Sequence, residues 1–149
     1  MERVLGVSPA AAPAAARTPV LPVAVSGLAA FLASVVWYSP PLFGDLLQSL
    51  DPTPPPPPWA MLLAPLRELA ASYVLALLIV RLRWFTWRSA LVLGGGLWLA
   101  FHAVMMAGAA LFSGMPWTVA AIHAGDWLMK LLLMSLALSA WLGRRARAG

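Results

Sequence analysis

Four long apolar runs, separated by short polar, glycine-rich or proline-rich breaks, organise the sequence. A helix that crosses a bilayer needs about 20 predominantly apolar residues. Residues 20–38, VLPVAVSGLAAFLASVVWY, meet that length without a charge. Pro22 falls in the first turn, where a missing N–H costs least. Ser26, Ala30 and Ser34 recur every four residues, a ridge of small side chains suited to close helix packing. Trp37 and Tyr38 make an aromatic end, and Ser39-Pro40-Pro41 stops the run. The second apolar run covers 59–80 and contains Pro65, so its helix begins either at Trp59 or near the proline. The third covers 89–112 and carries Gly94, Gly95 and Gly96. The fourth covers 117–142, with Ser135, Ser139 and Gly143 as a second small-residue ridge. Ser113–Pro116 is short enough to force the last two runs into an antiparallel hairpin. The pattern predicts an all-α, integral membrane four-helix bundle.

The connections differ in kind. Residues 39–58 read as a loop ending in five consecutive prolines, 54–58. Such a run favours a stiff polyproline II spacer over helix or strand. Residues 1–19 imitate a signal peptide weakly through Arg3 and a run of alanines. However, the apolar stretch 4–7 is too short, and Pro9 and Pro13 break it, so an uncleaved, disordered Ala/Pro tail is expected. Residues 144–149 read as a basic tail.

Composition agrees with lipid as the solvent. Of 149 residues, 62% are hydrophobic and 10% charged, against about 25% charged in a soluble domain. The absence of cysteine removes disulfide and thiol chemistry. The net charge of +5 is dispersed among short connections, which argues against a nucleic-acid partner. Arg3, Arg17, Arg81, Arg83, Arg88, Arg144, Arg145 and Arg147 all fall on one side of a four-span chain, with Asp45 and Asp51 opposite. The positive-inside rule then predicts cytoplasmic termini and an external proline-rich loop, in the cell's plasma or inner membrane.

Ionisable groups inside apolar runs are costly and are candidates for function. Six occur: Arg67, Glu68, His102, His123, Asp126 and Lys130. At ~1.5 Å per residue, Glu68 and Asp126 each lie about 13 Å below the outer boundary if the second helix starts at Trp59. Folding the last hairpin about its turn brings position 102 level with 127. His123, Asp126 and Lys130, spaced three and four apart, share one helix face.

The segment FLASVVWYSPPLFG, including Trp37, Tyr38, Ser39, Pro40, Leu42, Phe43 and Gly44, resembles the opening of the domain-of-unknown-function 1761 family. Those small bacterial membrane proteins carry a similar Trp-Tyr-Ser-Pro then Leu-Phe-Gly signature. The stretches Trp98–Phe101 and Ile122–Trp127 are also similar to the family. The resemblance implies a membrane fold and a bacterial inner-membrane location. It implies no activity, because the family's function is not established. The five-proline run departs from the family pattern.

Three functional readings use the polar cluster. A proton or ion relay would carry protons on Asp126 and Glu68. A metal site would draw on His102, His123 and Asp126. A small-molecule pocket would use the whole set as anchors. Against these stands a structural reading, in which Asp126 and Lys130 neutralise each other as an i,i+4 pair. If the second helix begins at Pro65, Glu68 adds to its first turn and Arg67 snorkels to the interface. No nucleophile motif or phosphate loop accompanies the cluster, so no enzyme activity and no cofactor is expected. The expectation is an accessory or structural protein acting through helix–helix contacts, as a homo-oligomer or with a larger membrane partner. The alternative is a small transporter or proton-coupled permease component.

Overall fold

The computed structural model describes residues 20–52, 54 and 57–148. The tail expected over 1–19 lies outside the described residues, as do Thr53, Pro55 and Pro56 of the proline-rich segment. Among the described residues, four helices are long and apolar enough to cross a membrane: α1 (Val20–Trp37), α3 (Pro58–Leu82), α4 (Trp87–Phe112) and α5 (Trp117–Ala148). A fifth, short helix, α2 (Asp45–Leu50), follows a π-helical turn at Pro40–Gly44.

That short helix corrects the reading of 39–58 as a loop. Pro40 and Pro41 end α1, but proline is compatible with the first turn of a new helix. The backbone N–H groups of Leu42 and Gly44 both donate to the Ser39 carbonyl at 3.0 Å, and helix resumes from there. Gly44 is required at this turn, because a Cβ there would stand 2.6 Å from the Tyr38 carbonyl oxygen. Pro58, last of the proline run, is helical and opens α3. Pro65 is interior to α3, so the helix begins before it. The expected basic tail is also helical, since α5 continues to Ala148.

α5 is the hub. It packs on α1, α3 and α4, while α1 also packs on α3 and α4 rests almost entirely on α5. The small-residue ridges explain this arrangement. Ser26, Gly27, Ala30 and Ser34 are the buried stripe of α1. A Cβ on Gly27 would lie 3.2 Å from the Glu68 carbonyl, so α1 and α3 nearly touch backbone to backbone. The Ser72 hydroxyl donates to the Val23 carbonyl at 2.9 Å across the same interface. Gly94 approaches the Leu131 carbonyl just as closely. The second ridge meets the α3–α4 connection: Ser139 donates to the Trp84 carbonyl at 3.1 Å, and Gly143 lies against Phe85. Leu75, Ile79, Met134 and Leu138 fill the core between these contacts. Leucines and valines such as Leu21, Leu62, Val74 and Leu111 point outward, as suits a hydrocarbon surround.

Candidate intramembrane polar site

The site lies where α1, α3 and α5 meet. Lys130, on α5, is fully buried, yet it faces two carboxylates. Its Nζ is 2.6 Å from Asp126 Oδ2 on its own helix and 3.0 Å from Glu68 Oε1 on α3. Arg67 donates to the same Glu68 oxygen from Nη2 at 2.8 Å. The Ser34 hydroxyl of α1 donates to Asp126 Oδ1 at 2.7 Å. A continuous chain therefore runs Arg67–Glu68–Lys130–Asp126–Ser34 and ties three helices. Its formal charges cancel, two against two. Side-chain exposure is 1% for Glu68, 0% for Lys130 and 2% for Asp126, but 55% for Arg67. Only the terminal guanidinium reaches the surface of the bundle.

Why charges so deep are tolerated follows from pairing. An isolated ion moved out of water costs several kcal/mol even after relaxation, and that cost falls when oppositely charged groups meet with good geometry. Here every buried ionic group has at least one opposite partner. Among the described residues three buried side-chain atoms have no hydrogen-bond partner: Glu68 Oε2 in the ion chain, and His102 Nδ1 and Ser135 Oγ outside it.

Two of the sequence expectations change. α3 begins at Pro58, so Glu68 sits ten residues inside it and gains nothing from a helix N-terminus. Asp126 and Lys130 do pair, but Lys130 is shared with Glu68, so they are not a closed two-residue unit. The depth argument agrees with the geometry, since Glu68 and Asp126 reach the same ammonium. His102 lies level with α5 residue 127 and stacks on the Trp127 ring, with centroids 4.0 Å apart. Its contact is thus with the neighbouring indole. Arg67 and Lys130 also lie over that indole, at 4.8 and 4.2 Å from the centroid, within cation–π range. His123 is engaged elsewhere: its Nδ1 is 2.8 Å from the Tyr38 hydroxyl. Among the described residues, no three His, Cys, Asp or Glu side chains converge as a metal site would require.

The signature after α1 closes the end of the site nearest α2. The Trp37 indole N–H donates to the Ile122 carbonyl at 3.2 Å, and Phe43 packs on its ring at 4.6 Å. Gly125 makes room for that indole, whose Cζ2 would stand 2.9 Å from a Cβ. From the other side, the Trp98 indole donates to the Ala124 carbonyl at 2.7 Å. Trp98 opens a π-helical stretch, Trp98–Ala103, that also contains His102. Such bulges re-aim side chains inside a helix.

The segment Trp37–Gly44 and the segment Ile122–Trp127 are therefore two halves of one contact. A protein-family model described as Protein of unknown function (DUF1761) matches residues 21–139. The chain belongs to this family. The searched curated proteins and solved structures contain no match. The DUF1761 match spans α1 through most of α5, and thus all six of the polar candidates. Those six are legible in the sequence of this DUF1761 chain, whereas Ser34 as a hydrogen-bond donor and Trp127 as the platform under Arg67 emerge only in the fold. Ser34 was visible only as a small residue. Its level relative to Asp126 depends on how α1 leans on α5, which spacing within one helix does not encode.

Proposed function

We propose that the protein is a structural or accessory membrane component whose buried charges fasten its own helices, and that it acts through helix–helix contacts. One observation carries this reading. Lys130 is enclosed between two carboxylates from different helices, and the ionic centre has no exposed member except Arg67. A relay needs groups that can exchange protons or solute with an aqueous phase, whereas a clamp needs closure. The distribution of arginines supports cytoplasmic termini and a plasma-membrane location. Because both small-residue ridges are consumed inside the chain, a second copy or larger partner would meet the outward faces instead.

The second reading, a small transporter or proton-coupled permease component, draws on the unpartnered Glu68 Oε2 beside a lateral cleft. One experiment separates the two. Membrane abundance and the phenotype of a deletion strain are measured side by side for Asp126→Asn and for Asp126→Leu with Lys130→Leu. The clamp expects the double variant to be abundant and functional. An abundant but inactive Asp126→Asn would count for the permease and against the clamp.

A further inference from the structure

Between α1 and α3, at the end of the bundle that holds Tyr38 and Ala60, lies a cleft of about 430 Å³. Its walls are apolar: Phe31 and Val35 from α1, Ala60, Met61 and Ala64 from α3. Its polar lining comes from Ser34, Tyr38, Arg67 and Glu68. The volume is that of a small-ligand pocket, and a mostly apolar lining with a few convergent polar groups is the usual make-up of one.

Three of the four polar groups are already engaged in ways that define what could join them. Ser34 spends its proton on Asp126, and Tyr38 is bonded to His123. Arg67 gives Nε and Nη2 to Glu68 Oε1 and makes no other hydrogen bond among the described residues. A guanidinium carries five donors, so N–H groups remain for an acceptor. Glu68 Oε2 is buried without a partner and wants a donor. A buried polar atom left unpaired is disfavoured. A single group that donates to Glu68 Oε2 and accepts from Arg67 would serve both, and a hydroxyl does both. It must also be uncharged, because Arg67 and Lys130 already balance Glu68 and Asp126, and an added ion would leave a net charge at this depth.

We propose that the cleft between α1 and α3 binds an uncharged amphiphile with a single hydroxyl head, its apolar body along Phe31, Val35, Met61 and Ala64. The hydroxyl donates to Glu68 Oε2 and accepts from Arg67. The ligand enters sideways from the bilayer, the one phase in which such a molecule is concentrated. This rests on the balanced ion chain of the clamp and goes beyond it by naming a ligand; absence of labelling in the native chain, with membrane abundance intact, would count against the ligand and not against the clamp.

The test uses the full chain in phosphatidylcholine nanodiscs and a diazirine-bearing long-chain alcohol as photoprobe. Peptides covering 31–38 and 60–67 should carry the label. Unlabelled 1-dodecanol should compete, and dodecyl methyl ether, which accepts but cannot donate, should not. Ala64→Phe fills the cleft one turn from Glu68 and should lower labelling at least tenfold, and Ala60→Phe, two turns from Glu68 in the same wall, should do the same. Leu62→Phe, on the exposed face, should leave it unchanged. If Ala64→Phe fails to fold, Ala60→Phe in the same wall replaces it. Equal competition by the ether would mean that lipid tails merely fill the space, and would overturn the proposal. So would labelling spread evenly onto α4 around Phe101 and Leu111. Stronger competition by dodecyl phosphate would overturn the neutral head.

Discussion

Lys130 of the last span lies 3.0 Å from Glu68 of the second, although Asp126, one turn away on its own helix, is already 2.6 Å from the same ammonium. The local pair is thus drawn into an interhelical one, and the three groups do not carry equal weight.

Lys130→Leu should be the most damaging single change in the cluster. It leaves two buried carboxylates facing each other with only Arg67 to offset them, and breaking a buried pair typically costs about 3–5 kcal/mol. Asp126→Leu leaves Lys130 paired with Glu68 and should cost less. The double variant, Asp126→Leu with Lys130→Leu, keeps Arg67 with Glu68 and should recover most of the loss. Thermal unfolding in detergent would check the order. A double variant no better than Lys130→Leu alone would contradict it.

Two serines on α1 should differ in consequence. Ser34→Ala strips a donor from a buried carboxylate, a loss of about 1.5–3 kcal/mol for a bond to a charged group. Ser26 bonds to the neutral Pro22 carbonyl and Ser72 hydroxyl, so Ser26→Ala should cost only about 0.5–1.5 kcal/mol. The same unfolding measurement ranks them, and equal losses would show that Asp126 does not depend on Ser34.

Glycines should separate just as clearly. Gly125→Ala drives a methyl into Trp37 and should destabilise by about 1–3 kcal/mol, as overpacking usually does. Gly95→Ala meets nothing within 4 Å and replaces a poor helix former, so it should be neutral or stabilise by up to about 1 kcal/mol. Tryptophan fluorescence during unfolding would report both. A harmless Gly125→Ala would mean that Trp37 does not dock as described.

Orientation is open to direct labelling. With single cysteines introduced by Ser8→Cys, Thr53→Cys and Ala148→Cys, an impermeant thiol reagent on intact cells should modify only the one at position 53. Labelling at 148 would reverse the topology.

What the sequence made legible follows the physics of a single helix. Span positions come from hydrophobic length, and the match of Glu68 with Asp126 comes from constant helical rise. The level of His102 comes from folding a tight hairpin. Relations that depend on rotation between helices were hidden. Nothing in the spacing of residues 67 and 68 shows which of the two turns toward Lys130. The short helix Asp45–Leu50 was hidden for another reason: Pro40, Pro41 and two flanking aspartates imitate a loop, and only the Ser39–Gly44 turn lets the helix resume. The Trp37–Gly44 signature read as a span ending, because its partner surface lies 85 residues away on α5.

The adjacency of Arg67 and Glu68 bears on how the chain is made. A ribosome completes α3 well before it reaches residue 130, so Glu68 meets the membrane when its buried partner does not yet exist. The guanidinium next to it is the one opposite charge at hand, and their bond needs no other helix. An Arg67–Glu68 pair has no net charge, so the second span holds a partner for its carboxylate within two consecutive residues, whatever the state of α5. In the folded bundle Lys130 shares the same oxygen from the buried side, and Arg67 lies at the surface.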